Sequence, residues 1–339
     1  MGQLVDGMWD KAWKVPQGRS GDFQRGDSSF RHRVSADGST GFKAEAGRYH
    51  LYVSYACPWA SRALMMRSLK KLKDAISVTV VDWQMTDEGW HFSNRDGATP
   101  DPILGARYLR DIYLASDPKA TGRVTVPVLW DKQRRVIVNN ESAEIIRMLN
   151  SEFNAIGDAT RDFYPAALRG EIDEVNARVY DTVNNGVYKA GFAGSQGAYE
   201  KAFDALFETL DWLEDRLGQQ RYVAGRRLTE ADLRLFATLI RFDAVYVGHF
   251  KCNRQRLADY PNLHGYTREI YQMPEVRETV DLLHIKNHYY QSHESINPNR
   301  IVPKGPALDF DAPHGRERIA ANHAVQSAAQ QEKDHDPGS

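Results

Sequence analysis

The sequence contains little cysteine. Only Cys57 and Cys252 occur among 339 residues, and they lie almost 200 positions apart. A structural disulfide is not expected, because disulfide frameworks place several cysteines within a short secreted chain. This composition fits a reducing compartment, and we predict a cytoplasmic protein.

The sequence also lacks an excess of either charge and any long apolar run. Lysine and arginine number 44, and aspartate and glutamate number 45, which leaves no net field to attract nucleic acid or an anionic membrane. The first residues, Met-Gly-Gln-Leu-Val-Asp, already mix polar and apolar side chains. We therefore expect no membrane span, no signal peptide and no nucleic-acid partner.

Composition and length are those of a globular protein with two hydrophobic cores. Hydrophobic residues make up 42% of the chain and charged residues 26%. Residues 1–48 are rich in Gly, Ser, Asp and Arg and predict an irregular arm on the surface of a domain. Residues 297–339 predict an extended tail whose last 20 residues, poor in large apolar side chains, are disordered.

The segment 49–155 alternates strand and helix patterns. β-Branched and aromatic residues predict strands over 50–55, 76–81, 125–130 and 135–138, and apolar residues at helical spacing predict helices over 58–72, 104–116 and 141–153. The order βαβαββα is the thioredoxin-like arrangement. Pro127 begins the third strand, where a proline cannot donate to the sheet, and thioredoxin-like proteins place a cis-proline here, facing the reactive cysteine.

The segment 165–296 has the pattern of helices almost throughout. Apolar residues such as Phe203, Leu206 and Leu210 recur at helical spacing. Thr229-Glu-Ala-Asp232 has the form of a capping box, with Asp232 in place of the usual Glu or Gln. We therefore predict an α/β domain followed by an all-α domain.

Cys57 is the strongest candidate for a reactive group. It follows a predicted strand and precedes Pro58, and proline is favoured in the first turn of a helix. At such a position the free backbone amides and the helix dipole would stabilise thiolate over thiol and lower the cysteine pKa. The alternative is a buried cysteine that serves as a small apolar residue, which is the commoner role of cysteine.

The motif Cys57-Pro-Trp-Ala60 contains no second thiol. Ala60 stands where a dithiol oxidoreductase has its second cysteine, so a mixed disulfide on Cys57 needs an outside thiol to release it. In the cytosol this thiol is glutathione, which would be a co-substrate. Cys252 is interpreted as structural, since it could act only if the fold brought it close.

The segments 54–62, 88–90, 122–131, 140–148 and 181–193 resemble those of the glutathionyl-hydroquinone reductases, the Xi class of glutathione transferases. The match runs from about residue 1 to 315. The resemblance implies a thioredoxin-like glutathione-binding domain, a helical glutathione-transferase domain, a homodimer, and no permanently bound cofactor. The segments are Ser-Tyr-Ala-Cys-Pro-Trp-Ala-Ser-Arg at 54–62, Glu-Gly-Trp at 88–90, Gly-Arg-Val-Thr-Val-Pro-Val-Leu-Trp-Asp at 122–131, Asn-Glu-Ser-Ala-Glu-Ile-Ile-Arg-Met at 140–148, and Asp-Thr-Val-Asn-Asn-Gly-Val-Tyr-Lys-Ala-Gly-Phe-Ala at 181–193.

The resemblance also implies which residues bind glutathione. Glu141 would hold the ammonium of the γ-glutamyl end, and Ser142 with helix amides its carboxylate. Val126 would exchange backbone hydrogen bonds with the cysteinyl unit, while Arg123 and Trp90 would address the glycyl end. Without the resemblance, Arg123 would be interpreted as a solvated arginine of a loop and Trp90 as an aromatic residue of the core. The implied set is Trp90, Arg123, Val124, Thr125, Val126, Glu141 and Ser142.

Three tyrosines from separate helical segments match family positions that line the hydroquinone pocket. Tyr188 would donate and accept a proton at the aromatic ring, and Tyr246 and Tyr289 would hydrogen bond near the thiolate and help to lower its pKa. Most tyrosines at helical spacing pack in a core. Because the chain has 16 tyrosines, spacing alone does not assign these three to a site.

The implied activity is the glutathione-dependent reduction of glutathionyl-hydroquinones through a Cys57–glutathione mixed disulfide. General thiol transfer or dehydroascorbate reduction is an alternative, and a non-catalytic transferase-like scaffold is another. His284 and His288 lie four residues apart, but Ile285 stands where a metalloprotease motif needs glutamate, so no metal is expected.

Overall fold

The N-terminal arm begins with a short hairpin in a computed structural model that describes residues 2–13 and 15–319. Strand β1 (Gln3–Val5) pairs antiparallel with β2 (Met8–Asp10). Sequence analysis missed this hairpin. Each strand has only 3 residues, too few for a strand pattern to be read.

The first domain is built on a four-stranded mixed sheet. Its strands are β3 (Tyr49–Val53), β4 (Ser77–Val80), β5 (Val128–Asp131) and β6 (Val136–Asn139), in the spatial order β4-β3-β5-β6. β3 is parallel to β4 and antiparallel to β5, and β6 is antiparallel to β5. Every residue of the central strands β3 and β5 is buried, which places them under helices on the sheet faces.

Three helices complete this domain: α1 (Pro58–Leu69), α2 (Leu109–Ser116) and α3 (Ser142–Ser151). α1 packs against α3, and α2 packs against β6. Ten of the 12 residues of α1 are buried, because this helix lies between its own domain and the helical domain. The predicted thioredoxin-like arrangement is confirmed.

The second domain is helical, as predicted. None of the helices within the described ranges has the length and apolar character needed to cross a membrane. The domain contains α4 (Arg169–Val179), α5 (Gly186–Gly191), α6 (Gln196–Gln219), α7 (Glu230–Arg241), α8 (Pro261–Tyr271), α9 (Pro274–Arg277) and α10 (Leu282–Ser292), with 3₁₀ turns at Ala166–Leu168 and Leu257–Asp259.

Two π-helical turns interrupt the helical domain next to the interface with the first domain. Tyr180–Asn184 joins α4 to α5, and Phe242–Tyr246 continues α7. A π turn inserts one residue per turn into a helix and is often found at functional sites. These two turns set the positions of Asn184 and Tyr246.

The arm contacts both domains, whereas the sequence predicted that it lies on the surface of one. The amide of Gly194 donates to the carbonyl of Gly21 (2.8 Å), and Ser195 Oγ donates to the carbonyl of Ser20 (2.7 Å). On the other side, the amide of Phe30 donates to Asn140 Oδ1 (3.0 Å) at the start of α3. The arm therefore crosses the boundary between the domains.

The described part of the C-terminal tail is attached to the helical domain. Arg316, only 3% exposed, donates to the carbonyls of Leu217 (3.0 Å) and Arg221 (2.8 Å) and to Glu269 Oε2 (3.0 Å). The predicted disorder of the last 20 residues concerns residues 320–339, which lie outside the described residues.

The predicted capping box at the start of α7 is present and is extended by tertiary contacts. Asp232 accepts hydrogen bonds from the amide (2.7 Å) and the hydroxyl (3.0 Å) of Thr229, from the amide of Val223 (2.8 Å), and from the hydroxyl of Tyr266 (2.8 Å). Burial raises the pKa of Asp232 to about 6. One buried carboxyl thus joins α7, α8 and the loop before α7.

We expect Asp232→Ala to lower the free energy of unfolding by at least about 2 kcal/mol, because it removes the cap and leaves buried donors without an acceptor. Denaturant titration followed by circular dichroism measures this. The exposed Asp215→Ala on α6 is the control, and equal stability of the two variants would contradict the argument.

Candidate active site

Cys57 lies at the start of α1, as the sequence predicted. It occupies the N-cap position with an extended backbone (φ −79°, ψ 120°), and Pro58 is the first helical residue. The Val126–Pro127 peptide bond is cis, as the thioredoxin-like arrangement implies. The Cys57 thiol donates to the carbonyl of Val126 at 3.5 Å, so the sulfur faces the residue before this proline.

The loop before Cys57 is held by a buried arginine of the helical domain. Arg241, at the end of α7 and 1% exposed, donates from Nε to the carbonyl of Ala56 (2.9 Å) and from Nη2 to the carbonyl of Tyr55 (2.9 Å). Sequence analysis did not single out Arg241. Its charge lowers the pKa of Cys57, so it acts on the position and the ionisation of the thiol.

The amides at the start of α1 lower the pKa of Cys57, as predicted, but the net shift of this pKa is upward. Burial is the largest effect and raises the pKa of the thiol. The amides of Ala60 and Trp59, and the charges of Arg241 and Arg25, act in the opposite direction without reversing it. Neither amide reaches the geometry of a full cap hydrogen bond to the sulfur.

Cys57 lies in a cleft between the two domains. The cleft shares four lining residues with a neighbouring cavity of about 1040 Å³, so together they have room for a ligand larger than a tripeptide. Seven residues that the sequence analysis assigned to catalysis or to glutathione line this cleft besides Cys57: Trp90, Arg123, Val124, Thr125, Val126, Tyr188 and Tyr289.

The strand edge beside the thiol is fixed by Tyr113 of α2. Its hydroxyl donates to the carbonyl of Thr125 (2.8 Å) and accepts from the amide of the same residue (3.1 Å). Both backbone groups of Thr125 are therefore already hydrogen bonded within the protein, whereas the carbonyl of Val126 bonds only weakly to the thiol. Val126 is the better candidate for backbone pairing with a peptide.

Arg123 and Trp90 lie on the first-domain wall of the cleft. The Arg123 guanidinium stacks 4.7 Å above the ring of Trp13 from the arm, and burial lowers the pKa of Arg123 to about 10. Trp90 stacks on the imidazole of His288, with ring centroids 4.7 Å apart. Arg123 is thus a half-buried cation that packs on an aromatic ring, rather than the solvated loop arginine of the simpler interpretation.

Glu141 and Ser142 lie at the start of α3, as predicted, and both have partners in the protein. Glu141 caps the amide of Ala143 (3.1 Å) and accepts from the hydroxyl of Ser28 in the arm (3.0 Å). Ser142, 3% exposed, accepts from Arg62 Nη1 at 3.5 Å. Neither residue is among those that line the cleft around Cys57.

The three predicted tyrosines come together on the helical-domain side. The hydroxyl of Tyr289 is 2.6 Å from that of Tyr188 and 2.9 Å from that of Tyr246. Burial raises the pKa of all three, and Cys57, when it is ionised, raises that of Tyr188 further. The expected hydrogen bonds of Tyr246 and Tyr289 at the thiolate are replaced by this chain of hydroxyls.

The sequence assigned no role in the cleft to its three remaining titratable residues, Arg25, His288 and His293. Burial lowers the pKa of His288 to about 4 and holds that of His293 well below its usual range, so both rings are neutral at pH 7. His288 Nδ1 bonds to the carbonyl of Trp83 (2.8 Å). No local pattern marks these residues, because they come from the irregular arm and the end of α10.

The two histidines considered as metal ligands each contact a backbone carbonyl, His284 that of Asp96 and His288 that of Trp83. Within residues 2–13 and 15–319, no group of three or more His, Cys, Asp or Glu side chains could hold a metal ion. Cys252 is free and fully buried, and burial raises its pKa.

Family models for the two glutathione S-transferase domains match the chain. The N-terminal domain model matches residues 56–152, and the C-terminal domain model matches residues 196–269. The first match includes Cys57, Trp90, Arg123 and Ser142, and the second includes Tyr246.

Characterised relatives match nearly the whole chain. Glutathionyl-hydroquinone reductase YqjG of Escherichia coli K12 is 55% identical over 94% of this chain and 99% of its own length. Glutathionyl-hydroquinone reductase PcpF of Sphingobium chlorophenolicum is 54% identical over 91% of this chain and 97% of its own.

Solved structures of similar proteins have the same fold. The glutathione-bound structure of E. coli YqjG superposes with a TM-score of 0.87 and 53% identity, covering 93% of this chain and 99% of that one. A Xi class transferase from Natrialba magadii gives a TM-score of 0.88 and 48% identity, covering 94% and 97%.

We expect the Cys57 thiol of the ligand-free protein to titrate above the ordinary cysteine value of about 8.5, because burial outweighs the amides and the two arginines. Less thiolate than in free cysteine is then present at neutral pH. The ultraviolet absorbance of the thiolate, followed against pH with Cys57→Ser subtracted, measures it. A midpoint at or below pH 7 would show that burial is not the dominant effect.

Proposed function

This chain belongs to the Xi class of the glutathione S-transferase family, and we propose that it reduces glutathionyl-hydroquinones to hydroquinones with glutathione as co-substrate. The observation that carries the proposal is the position of Cys57 at the start of α1, in one cleft with the hydroxyls of Tyr188 and Tyr289. A nucleophile and buried proton donors thus face the same space.

In the first step the Cys57 thiolate attacks the sulfur of the glutathionyl-hydroquinone thioether. The new Cys57–sulfur bond forms as the bond between that sulfur and the aromatic carbon breaks. The electron pair of the broken bond goes to the ring carbon, which takes a proton. The two sulfurs are oxidised to a disulfide, and the aromatic carbon is reduced from C–S to C–H.

Tyr188 is the proton donor to the aromatic carbon. Its raised pKa keeps it a phenol at neutral pH, which suits a donor and not a base. When it gives up its proton, the hydroxyl of Tyr289, 2.6 Å away, can donate to the phenolate, and Tyr246 supports Tyr289 in turn. The chain of hydroxyls thus stabilises the charge left on Tyr188.

In the second step a free glutathione thiolate attacks the Cys57–glutathione disulfide. Oxidised glutathione leaves, and the Cys57 thiolate is regenerated. Ala60 and the fully buried Cys252 supply no resolving thiol. An external thiol is therefore part of the reaction and not only a reductant in the medium.

Glutathione binding would also promote ionisation of the nucleophile. The thiol of Cys57 donates to the carbonyl of Val126, a hydrogen bond that only the protonated form can make. The amide of the glutathione cysteinyl unit would take this carbonyl. Cys57 then loses an acceptor that favours the thiol, while the amides of Ala60 and Trp59 remain to favour the thiolate.

The assembly and the compartment belong to the same proposal. A homodimer is implied by the resemblance, and the two free cysteines agree with a cytoplasmic location, where glutathione is abundant. Glutathione and its hydroquinone conjugates are the proposed ligands, in line with the relatives' names and the glutathione-bound structure of YqjG.

We expect Cys57→Ser to lower turnover of a glutathionyl-hydroquinone by at least about a thousandfold, since it removes the nucleophile. Wild-type protein incubated with the conjugate, without free glutathione, should carry one glutathionyl group on Cys57 by mass spectrometry. Cys252→Ala is the control and should retain activity and the adduct. Substantial turnover by Cys57→Ser would refute the mechanism. A wild type with neither turnover nor adduct would favour a binding scaffold.

We expect Tyr188→Phe to slow release of the hydroquinone by about a hundredfold, which is typical of losing a general acid. Turnover of a simple mixed disulfide should change little, because its leaving thiolate needs no proton on carbon. Glutathione binding by calorimetry should be retained. Equal losses on both substrates would instead favour general thiol transfer with Tyr188 as a binding residue.

A further inference from the structure

Arg25 of the N-terminal arm reaches the cleft that contains Cys57. Its guanidinium lies 4.6 Å from the ring centroid of Trp59 and 5.0 Å from that of Tyr188. Trp59 also stacks on Arg62 of α1, at 4.4 Å, so this indole contacts two cations. The position of Arg25 is thus defined by the ring next to the nucleophile and by the ring of the proposed proton donor.

The helical domain fixes the orientation of Arg25. Its Nε donates to Asn185 Oδ1 at 2.7 Å, directly after the π turn that ends at Asn184. Asn184 accepts in the same way from Arg62 Nη2 at 2.9 Å. Two adjacent asparagines therefore hold two arginines in defined places, and Asn185 is itself 7% exposed.

The guanidinium of Arg25 has donors that the protein does not use. Among the described residues, Nη2 is buried and has no hydrogen-bond partner. An unpaired buried donor of a charged group is costly. Its charge also lies close enough to Cys57 and Tyr188 to lower the pKa of both. An acceptor from a ligand in the cleft would remove this cost.

We propose that Arg25 binds the ionised ring oxygen of the aromatic substrate and makes the enzyme selective for hydroquinones that are phenolates at neutral pH. This inference rests on the proposed function, since it assigns a residue to the aromatic half of that substrate. A charge-assisted hydrogen bond to a phenolate is about twice as strong as one to a neutral phenol.

The aromatic oxygen is a better partner for Arg25 than a glutathione carboxylate. If Tyr188 protonates the ring carbon, the substrate ring must lie against Tyr188, whose own ring is 5.0 Å from the Arg25 guanidinium. The carboxylates of glutathione have other donors in the proposed site, Arg123 for one end and the start of α3 for the other. Of the two arginines that line the cleft, Arg25 is then the one that remains to bind the aromatic group.

The test uses two conjugates whose rings differ in acidity, glutathionyl-hydroquinone and a chlorinated analogue that is ionised at the assay pH. For Arg25→Gln we expect the ratio of kcat/KM for the ionised conjugate to that for the neutral one to fall by about tenfold relative to wild type. Arg25→Lys, which keeps the charge, should restore part of the ratio. Arg19→Gln, an exposed arginine of the same arm, is the matched control.

A ratio measured within one variant does not depend on how much of that variant is folded. Binding of the free chlorinated hydroquinone, followed by tryptophan fluorescence, adds a readout without turnover, and we expect Arg25→Gln to weaken it by a similar factor. If the wild type shows no reductase activity, the proposed function fails, whereas selective loss of this binding would still support Arg25. Equal losses on both conjugates, a raised KM for glutathione alone, or no difference from Arg19→Gln would overturn the inference.

Discussion

The geometry of the site depends on the buried contact of Arg241 with the two carbonyls that precede Cys57. Carbonyls at a turn between a strand and a helix have no partner in regular structure and must be satisfied when they are buried. Here a cation from α7 satisfies those of Tyr55 and Ala56 at 2.9 Å each. The start of α1 is therefore defined by the helical domain as well as by its own sequence. Loss of the domain interface would expose the thiol and release the loop that positions it.

Opposing effects act on the thiol of Cys57, and burial is the largest of them. Its place at a helix start and its two arginines favour the thiolate, while the burial that builds an interdomain cleft favours the thiol. The carbonyl of Val126 also favours the thiol, because only the protonated sulfur can donate a hydrogen bond to it. A nucleophile balanced in this way is protected from oxidation when the cleft is free, because oxidants react with the thiolate. In the proposed reaction, a glutathione amide that bonds to the Val126 carbonyl would shift the balance toward the thiolate.

The sequence predicts well whatever depends on local pattern. The order βαβαββα, the cysteine before Pro58, the proline before β5 and the capping box at Thr229 are all short-range signals, and the structure contains each of them. The features that the sequence did not predict depend on the three-dimensional surroundings of a side chain. The pKa of Cys57 is set by burial between domains, the partner of Tyr246 is set by where α10 packs, and Arg25 enters from an arm with no periodicity. None of these can be read from neighbours along the chain.

The proposed reaction also constrains how two substrates use one cleft. Displacement at sulfur proceeds in line, so the aromatic carbon leaves from the side opposite Cys57. The second glutathione must attack the same sulfur from the side opposite Cys57, which is the space that the aromatic ring has just left beside Tyr188. The hydroquinone therefore has to depart before glutathione can enter, and the two steps cannot overlap. The neighbouring cavity of about 1040 Å³ shares Phe192 and His293 with the cleft, so it adjoins the space in which the proposed exchange takes place.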